Sequence, residues 1–415
     1  MTTLEVWTEQ DGRARIVGQA HFTRTRGQVS TTFIYDAGYL ADGGINIDPG
    51  LQLTSGSQHQ SGLMRAFADS APDRWGRNLI EKAERARTRE EGRTPRSLDD
   101  VDFLLGVSDD TRQGALRFRL PGQDAYLGQP STVPKLISLP ALLRASDELA
   151  SDADPANAIK QLLDTGTTGL GGARPKASVQ LENGALAIAK FPHASDQWDV
   201  MAWEATALDL LESAGIRTPE RRLVKVSDRS VLVVRRFDRT ATGARVGYIS
   251  AMTATGTNDG EGRDYADIIE AIRDISVSSH ADRRELYNRV IASVALGNTD
   301  DHLRNHGFLA DGGLWTLSSA FDVNPNPDLS KPRATSIAGA DTHSDEVEGL
   351  LALAADADIG ADEAHDRIAH VAASLAGWRD YARRHGLAER ELTMMADAIE
   401  PRLEAVTRAG KSRRD

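Results

Sequence analysis

The stretch GNTDDHLRNHGF, residues 297–308, sets Asp300 five positions before Asn305. This D-x-x-x-x-N spacing is how protein kinases carry a catalytic carboxylate and a magnesium-ligating amide in one loop. A second carboxylate, Asp322, follows in LWTLSSAFDVNP at the end of an apolar run. Phosphoryl transfer needs both: one carboxylate accepts the proton of the attacking hydroxyl, while the other, with the amide oxygen, holds Mg²⁺ against the phosphates. Taken singly, each group also reads as a loop cap or a solvated side chain. Lys190 gives a second constellation, in the alternating run Leu186, Ile188, Lys190 whose other members are expected to face inward. A lysine in register with core residues needs a partner, and Glu204 on the next helix is the candidate. The alternative is an edge lysine blunting the sheet, with Glu204 solvated.

Other residues carry weaker signals. Gly166, Gly169, Gly171 and Gly172 precede the lysine-bearing hairpin, where backbone N–H groups can close over phosphates, although glycines also serve plain turns. Arg235, Arg236 and Phe237 follow an apolar strand, so their backbone either reads adenine at an interlobe hinge or simply leaves the strand. His302 and His306 flank the Asp and Asn groups and orient the loop by hydrogen bonding, or else join Asp301 around a metal. No Walker A pattern is present, because Lys176 is followed by Ala177 and Gly410-Lys411-Ser412 has Ala405 where the first glycine belongs. Nor does Gly171-Gly172 meet the dinucleotide-binding pattern.

The elements that must position these groups are legible as periodicity. Val6–Thr8, Ile16–Phe22 and Val29–Tyr35 predict a small antiparallel sheet, and a helix follows through Trp75, Leu79, Ile80 and Ala83. Pro121-Gly122 to Pro134 reads as a linker, followed by short helices at Leu139–Leu149 and Pro155–Leu163. Asn183-Gly184 predicts a type I′ hairpin turn between two strands. A helical stripe then runs from Trp198 to Leu211, and strands are expected at Arg222–Val226 and Ser230–Val234. From about residue 262 helices are expected at Tyr265–Ile275, Asp282–Leu296, Ala361–His385 and Glu389–Val406. The resulting partition is a β-rich subdomain over 1–135, a small lobe over 136–237, an all-helical lobe over 238–407 and a disordered basic tail over 408–415.

Composition bounds the function class. The 415 residues are 40% hydrophobic and 27% charged, close to the globular norm. Asp and Glu outnumber Lys and Arg by 61 to 49, and a net charge of −12 repels nucleic acid unless a partner supplies the contact. The absence of cysteine removes disulfides, thiolate zinc sites and Cys nucleophiles, and fits a reducing cytoplasm. Neither a secretory signal nor an apolar stretch long enough to cross a bilayer is evident.

Seven strings together, FADSAPDRWGR, GVSDDTRQGALRF, GGARPKASV, AKFP, VVRRFDR, GNTDDHLRNHGF and LSSAFDVNP, resemble the HipA toxin family of bacterial type II toxin–antitoxin systems, serine/threonine kinases of a divergent kinase fold. The resemblance spans nearly the whole chain. It implies an α+β, bilobal protein-kinase-like fold with a β-rich amino-terminal subdomain and a helical carboxy-terminal lobe. It further implies ATP and Mg²⁺ as cofactors, with Asp300 as catalytic base and His302, Leu303, Arg304 and Asn305 against the nucleotide. Asn305 and Asp322 would hold the metal, and Lys190, paired with Glu204, would contact the phosphates. Gly171, Gly172, Ala173, Arg174, Pro175 and Lys176 would form the phosphate loop, and Arg235, Arg236 and Phe237 the hinge. HipA kinases phosphorylate glutamyl-tRNA synthetase, arresting translation and producing persistence, and a helix-turn-helix antitoxin, HipB, neutralises them and recruits the pair to operator DNA. A serine that well-known members autophosphorylate corresponds to Gly169, so self-inactivation would use Thr167 or Thr168, or be absent. Two rival readings are a degenerate kinase fold serving as antitoxin-bound co-repressor and a metal-dependent phosphohydrolase built on Asp300, Asp301, His302 and Asp322.

Overall fold

The structure, a computed structural model, describes residues 1–10, 12–128, 131–150, 156–166, 174–258 and 260–411. The chain divides into two compact units, the first built from Met1–Ser195 with Val224–Ile249 and the second from Asp196–Leu223 with Ser250–Asp415.

The first unit opens with a five-stranded antiparallel sheet of β1 (Thr2–Gln10), β2 (Arg13–Thr25), β3 (Gln28–Tyr35), β4 (Ser57–Ser61) and β5 (Leu116–Arg119), in the order β4-β3-β2-β1-β5. Alternation sends Leu4, Val6, Ala20, Phe22, Phe33 and Phe118 into its core. Phe67 packs edge-on to both Phe33 and Phe118. The edge strands β4 and β5 are additions to the expected sheet, since SQHQS has no apolar alternation and LRFR is only four residues long. Arg26 and Gly27 both have positive φ, which forms the tight I′ turn that joins β2 to β3.

A second sheet in this unit comprises β6 (Lys176–Gln180), β7 (Leu186–Lys190), β8 (Arg221–Val226) and β9 (Arg229–Arg235), in the order β6-β7-β9-β8, with the chain returning from the second unit inside β8. One face, with Ala177, Val179, Ala187, Ala189, Phe191, Val231 and Val233, packs against Leu139, Leu142 and Leu143 of the helix Leu139–Ala150. Truncating such a buried leucine costs about 2–5 kcal/mol. Two expectations are corrected here. At the β6–β7 turn only Gly184 has positive φ, and its N–H reaches Leu181 O, so the turn is a type I turn closed by a left-handed glycine. The I′ turn falls at Ser227-Asp228 instead, where both residues are left-handed. In addition, Leu186, Ile188 and Lys190 lie on the half-buried face, because Ala187, Ala189 and Phe191 are the residues that fill the core. Alanines this small carry little apolar signal, so the core face of β7 does not stand out in the sequence.

The second unit is mainly helical, with helices Val200–Ser213, Tyr265–Ile275, Ser279–Leu296, Glu346–Asp356, Ala361–Leu375, Trp378–Arg384 and Glu389–Lys411. Helix Ser279–Leu296 is its central strut: Leu286, Val290, Ile291, Val294, Ala295 and Leu296 are all buried, over several faces. Three differences from expectation stand out. A β-hairpin, Gly307–Asp311 with Leu314–Leu317, interrupts a lobe expected to be all helical. The helix foreseen over 361–385 breaks at Ala376-Gly377. The last helix runs on to Lys411, taking in half of the basic segment assigned to a disordered tail. No described helix is long and apolar enough to cross a membrane.

Candidate active site

In the second unit, helix Ser279–Leu296 stops at Gly297, whose φ of 68° is the left-handed conformation that glycine adopts without cost. A closing bond from Asn298 N–H to Ser293 O turns the chain into the loop. Asp300 is exposed and Asp301 is buried, so the two adjacent carboxylates have different work to do. The side-chain amide nitrogen of Asn305 donates to Asp300 O at 3.1 Å, which leaves its oxygen as the end able to meet a cation. His302 is exposed, with its N–H on Asp300 O, and Arg304 is half-buried.

Asp322 sits 22 residues after Asp300 and is tied back to the same loop. Asn324 N–H donates to Asn298 Oδ1 at 3.0 Å, and Asn326 N–H to Gly297 O at 3.1 Å. The Asn324 side chain also donates to Asp322 Oδ1 at 3.3 Å. Asp322 has φ 59°, a conformation that costs a non-glycine residue about 1–3 kcal/mol and persists only where the surroundings impose it. Asp300, Asn305 and Asp322 are thus carried on two segments laced together.

Behind this surface lies a buried polar layer that the sequence did not disclose. Asp301 accepts from Tyr265 Oη at 2.5 Å and Ser293 Oγ at 3.2 Å, and lies 3.2 Å from His306 Nε2. Burial pushes its carboxyl pKa up, but His306, Tyr265 and Arg333 outweigh that and hold it at about 2. Thr335 Oγ1 donates to Asp301 O, and Ala334 N–H to Thr299 O, so the loop backbone is pinned from a third segment. Arg333 bonds Ser293 Oγ and Asn298 O and pairs with Glu346, which also holds Arg402. Of the two readings of His306, loop orientation has the 3.2 Å contact with Asp301 behind it. Among the described residues no group of three or more His, Cys, Asp or Glu side chains is arranged to hold a metal.

In the first unit, register pairs Lys176 with Lys190 across β6 and β7, so both lie on the sheet face turned away from the leucine core. Like charges directly opposite each other are unfavourable unless anionic groups meet them. Ser178 shares that face, fully buried, and its hydroxyl has no hydrogen-bond partner among the described residues. Ile188, Val234 and Leu232 supply an apolar floor beside the lysines. Pro175 is buried and Arg174 half-buried, whereas Gly171, Gly172, Ala173, Thr167 and Thr168 lie outside the described residues. Glu204 is buried on helix Val200–Ser213 of the second unit.

The strand exit behaves differently from the hinge reading. Arg236 N–H is spent on Leu186 O, and the Arg236 side chain is buried, bonded to Asp238 at 2.6 Å and to the carbonyls of Thr111 and Arg112. Arg236 is therefore a structural clamp, with neither amide nor guanidinium turned to a ligand. Arg239 completes the clamp on Asp238, Arg112 O and Gly114 O, and Asp238 accepts Gly114 N–H at 2.8 Å. Arg235 and Phe237 are half-buried, and the Phe237 ring lies 6.3 Å from that of Tyr248.

Two family descriptions match the chain: "HipA N-terminal domain" over residues 4–119 and "HipA-like C-terminal domain" over residues 168–379. No curated protein sequence matches it. Among solved structures, HipA of Shewanella oneidensis MR-1, in a complex with HipB and its operator DNA, aligns over 99% of both chains with 15% identity and a TM-score of 0.70. The Helicobacter pylori proinflammatory kinase CtkA aligns over 57% of this chain and 94% of its own, at 14% identity and a TM-score of 0.38. The amino-terminal match spans the five-stranded sheet and the Thr111–Gly114 turn, and the carboxy-terminal match spans the lysine-bearing sheet, the Asp300 loop and Asp322; the chain belongs to the HipA family.

Proposed function

We propose that this chain is an ATP- and Mg²⁺-dependent protein serine/threonine kinase, the toxin of a HipBA-like pair. The observation that carries the reading is the lacing of Asn298 to Asn324, which brings an exposed carboxylate, an oriented amide and a second carboxylate into one neighbourhood. In this reading Asp300 accepts the proton of the attacking hydroxyl. Asn305 and Asp322 would hold Mg²⁺, and their oxygens fit a hard cation. A set of only two protein donors suits a metal that completes its shell with phosphate oxygens and water, and that metal would neutralise charge on the phosphates. Lys190 and Lys176 would bind those phosphates; their placement on one sheet face supports this, as does the Ser178 hydroxyl, which has no hydrogen-bond partner among the described residues. The Gly171–Lys176 segment belongs to the same proposal as the phosphate loop, and Arg235 and Phe237 as neighbours of the adenine.

The partner proposed is a HipB-like helix-turn-helix antitoxin, through which an acidic chain would reach DNA; the HipA of the Shewanella complex is joined to HipB and operator DNA. The substrate class proposed is an aminoacyl-tRNA synthetase, with glutamyl-tRNA synthetase first among candidates. The test is transfer from γ-labelled ATP in a bacterial lysate, comparing the wild type with Asp322→Asn. A labelled band of synthetase size that the variant lacks is the expected result, with label on Thr167 or Thr168 marking self-inactivation. Label appearing only as free phosphate would replace the kinase with a phosphohydrolase.

A further inference from the structure

The two ends of the glycine-rich stretch are each held by a side chain from the amino-terminal domain. At the near end, Thr111 Oγ1 donates to Gly166 O at 2.5 Å, fully buried. Gly166 has φ 70°, and a Cβ there would meet Thr111 Oγ1 at 2.5 Å, so a side chain has no room between that backbone and the hydroxyl. At the far end, the indole N–H of Trp75, itself 5% exposed, donates to Lys176 O at 3.2 Å.

The β6–β7 register explains why that carbonyl is free to accept. Phe191 N–H bonds Pro175 O and Leu181 N–H bonds Ala185 O, so odd-numbered residues of β6 spend their backbone groups on β7. Lys176, Ser178 and Gln180 direct theirs to the outer edge, since β6 ends the sheet. Gln180 N–H is taken up there by Pro134 O, and Lys176 O by Trp75. Thr111 is in turn fixed by Arg236, which binds its carbonyl at 2.6 Å, and Arg236 is locked by Asp238. A continuous set of bonds therefore runs from the end of β9, through the 111–114 turn, to Gly166.

We infer that Trp75 and Thr111 are positioning residues for nucleotide binding: the amino-terminal domain holds the Gly166 and Lys176 carbonyls, and with them where the Lys176 and Lys190 ammonium groups meet a polyphosphate. This rests on the kinase reading above. Neither residue touches the nucleotide; both act through the backbone carbonyls they hold, so the effect is on affinity for the polyphosphate part of the ligand.

The experiment uses the full chain with Trp75→Phe, Thr111→Val and the conservative Thr111→Ser. Two readouts are taken: hydrogen exchange at residues 174–178 without nucleotide, and calorimetric affinity for a non-hydrolysable ATP analogue and for adenosine, with Mg²⁺. Trp75→Phe and Thr111→Val are expected to speed exchange at 174–178 and to weaken analogue binding 5- to 20-fold, with adenosine binding changed less than 2-fold and Thr111→Ser close to wild type. A KM for ATP that rises with little change in kcat would agree. Exchange and analogue affinity equal to wild type in both variants would overturn the inference. Equal losses for the analogue and adenosine would also overturn it, since they would mean general loosening of the unit. A wild-type chain that binds no analogue would overturn the kinase reading instead, and unchanged exchange in the variants would then still decide against the anchors.

Discussion

The loop at 297–308 and the strand exit at 235–239 are both short, charged strings that follow an apolar element, and they put their charges to opposite use. In the loop, one carboxylate of the Asp300-Asp301 pair is exposed and the other is buried among Tyr265, Ser293 and His306. In the strand exit, Arg236, Asp238 and Arg239 are all buried, and each is bonded within the unit. A group that meets substrate has to stay reachable and keep lone pairs uncommitted, whereas a group that only holds backbone is best fully satisfied. Charge and spacing do not separate these cases in a sequence. Exposure and partner count do.

The sharpest way to break that contrast is to neutralise the exposed member of the loop. Asp300→Asn is expected to lower phosphate transfer by about 10²–10⁴-fold, the range ordinarily supplied by a positioned general base, while the melting temperature stays within a degree or two. Labelled-ATP transfer together with a thermal melt checks both halves. Retained transfer would remove Asp300 from the reaction, and a large drop in melting temperature would mean that it is structural like Asp238.

Asp238→Ala tests the other side. It leaves two buried guanidinium groups without their counter-charge and Gly114 N–H without its acceptor, and breaking such a cluster costs about 3–5 kcal/mol. Urea unfolding should show that loss. At temperatures where the variant is still folded, any fall in transfer should be smaller than for Asp300→Asn. Equal losses of activity at full stability would place the strand exit back among ligand-facing groups.

The same contrast explains what was readable beforehand. Asp300, Asn305 and Asp322 lie within 23 residues, so the spacing that proposes them as a group is a local signal, legible in the string alone. The helix Tyr265–Ile275 and the two hairpins β6–β7 and β8–β9 are legible too, since period and turn residues are local signals. The clamp is not. Arg236 meets Thr111 and Arg112 across more than 120 residues, and no local pattern marks which arginine after a strand will be buried. Tyr265 and Arg333 escaped notice for the same reason, although an arginine between Pro332 and Ala334 in a weakly charged segment was a faint hint. The face of β7 is not legible in the string, because Ala187 and Ala189 are too small to register as core beside Leu186 and Ile188.

The smallest expected effect concerns how Asp301 is held, and acid separates its electrostatics from its packing. Its folded pKa is depressed to about 2, so its contribution is complete above the unfolded value near 4 and is lost as the pH falls through the folded one. That contribution amounts to about 2 kcal/mol. Burial alone would raise the pKa of Asp238, but Arg236 and Arg239 force it far down, so it adds an acid-labile background of the same sign. Tyr265→Phe removes one donor to Asp301 and leaves His306 and Arg333 in place, along with the whole strand-exit clamp. The variant should be about 1–2 kcal/mol less stable at pH 7, the ordinary worth of a hydrogen bond to a charged group. Because that bond is strongest to the carboxylate, the gap between variant and wild type should hold from pH 7 to about 4 and narrow as the pH is lowered from about 4 toward 2, with the Asp238 background cancelling between the two proteins. Melting curves across that range decide it. A gap that stays constant would mean that the hydroxyl supports the loop by filling space, and the buried layer behind Asp300 would then resemble an apolar core more than a set of bonds aimed at one carboxylate.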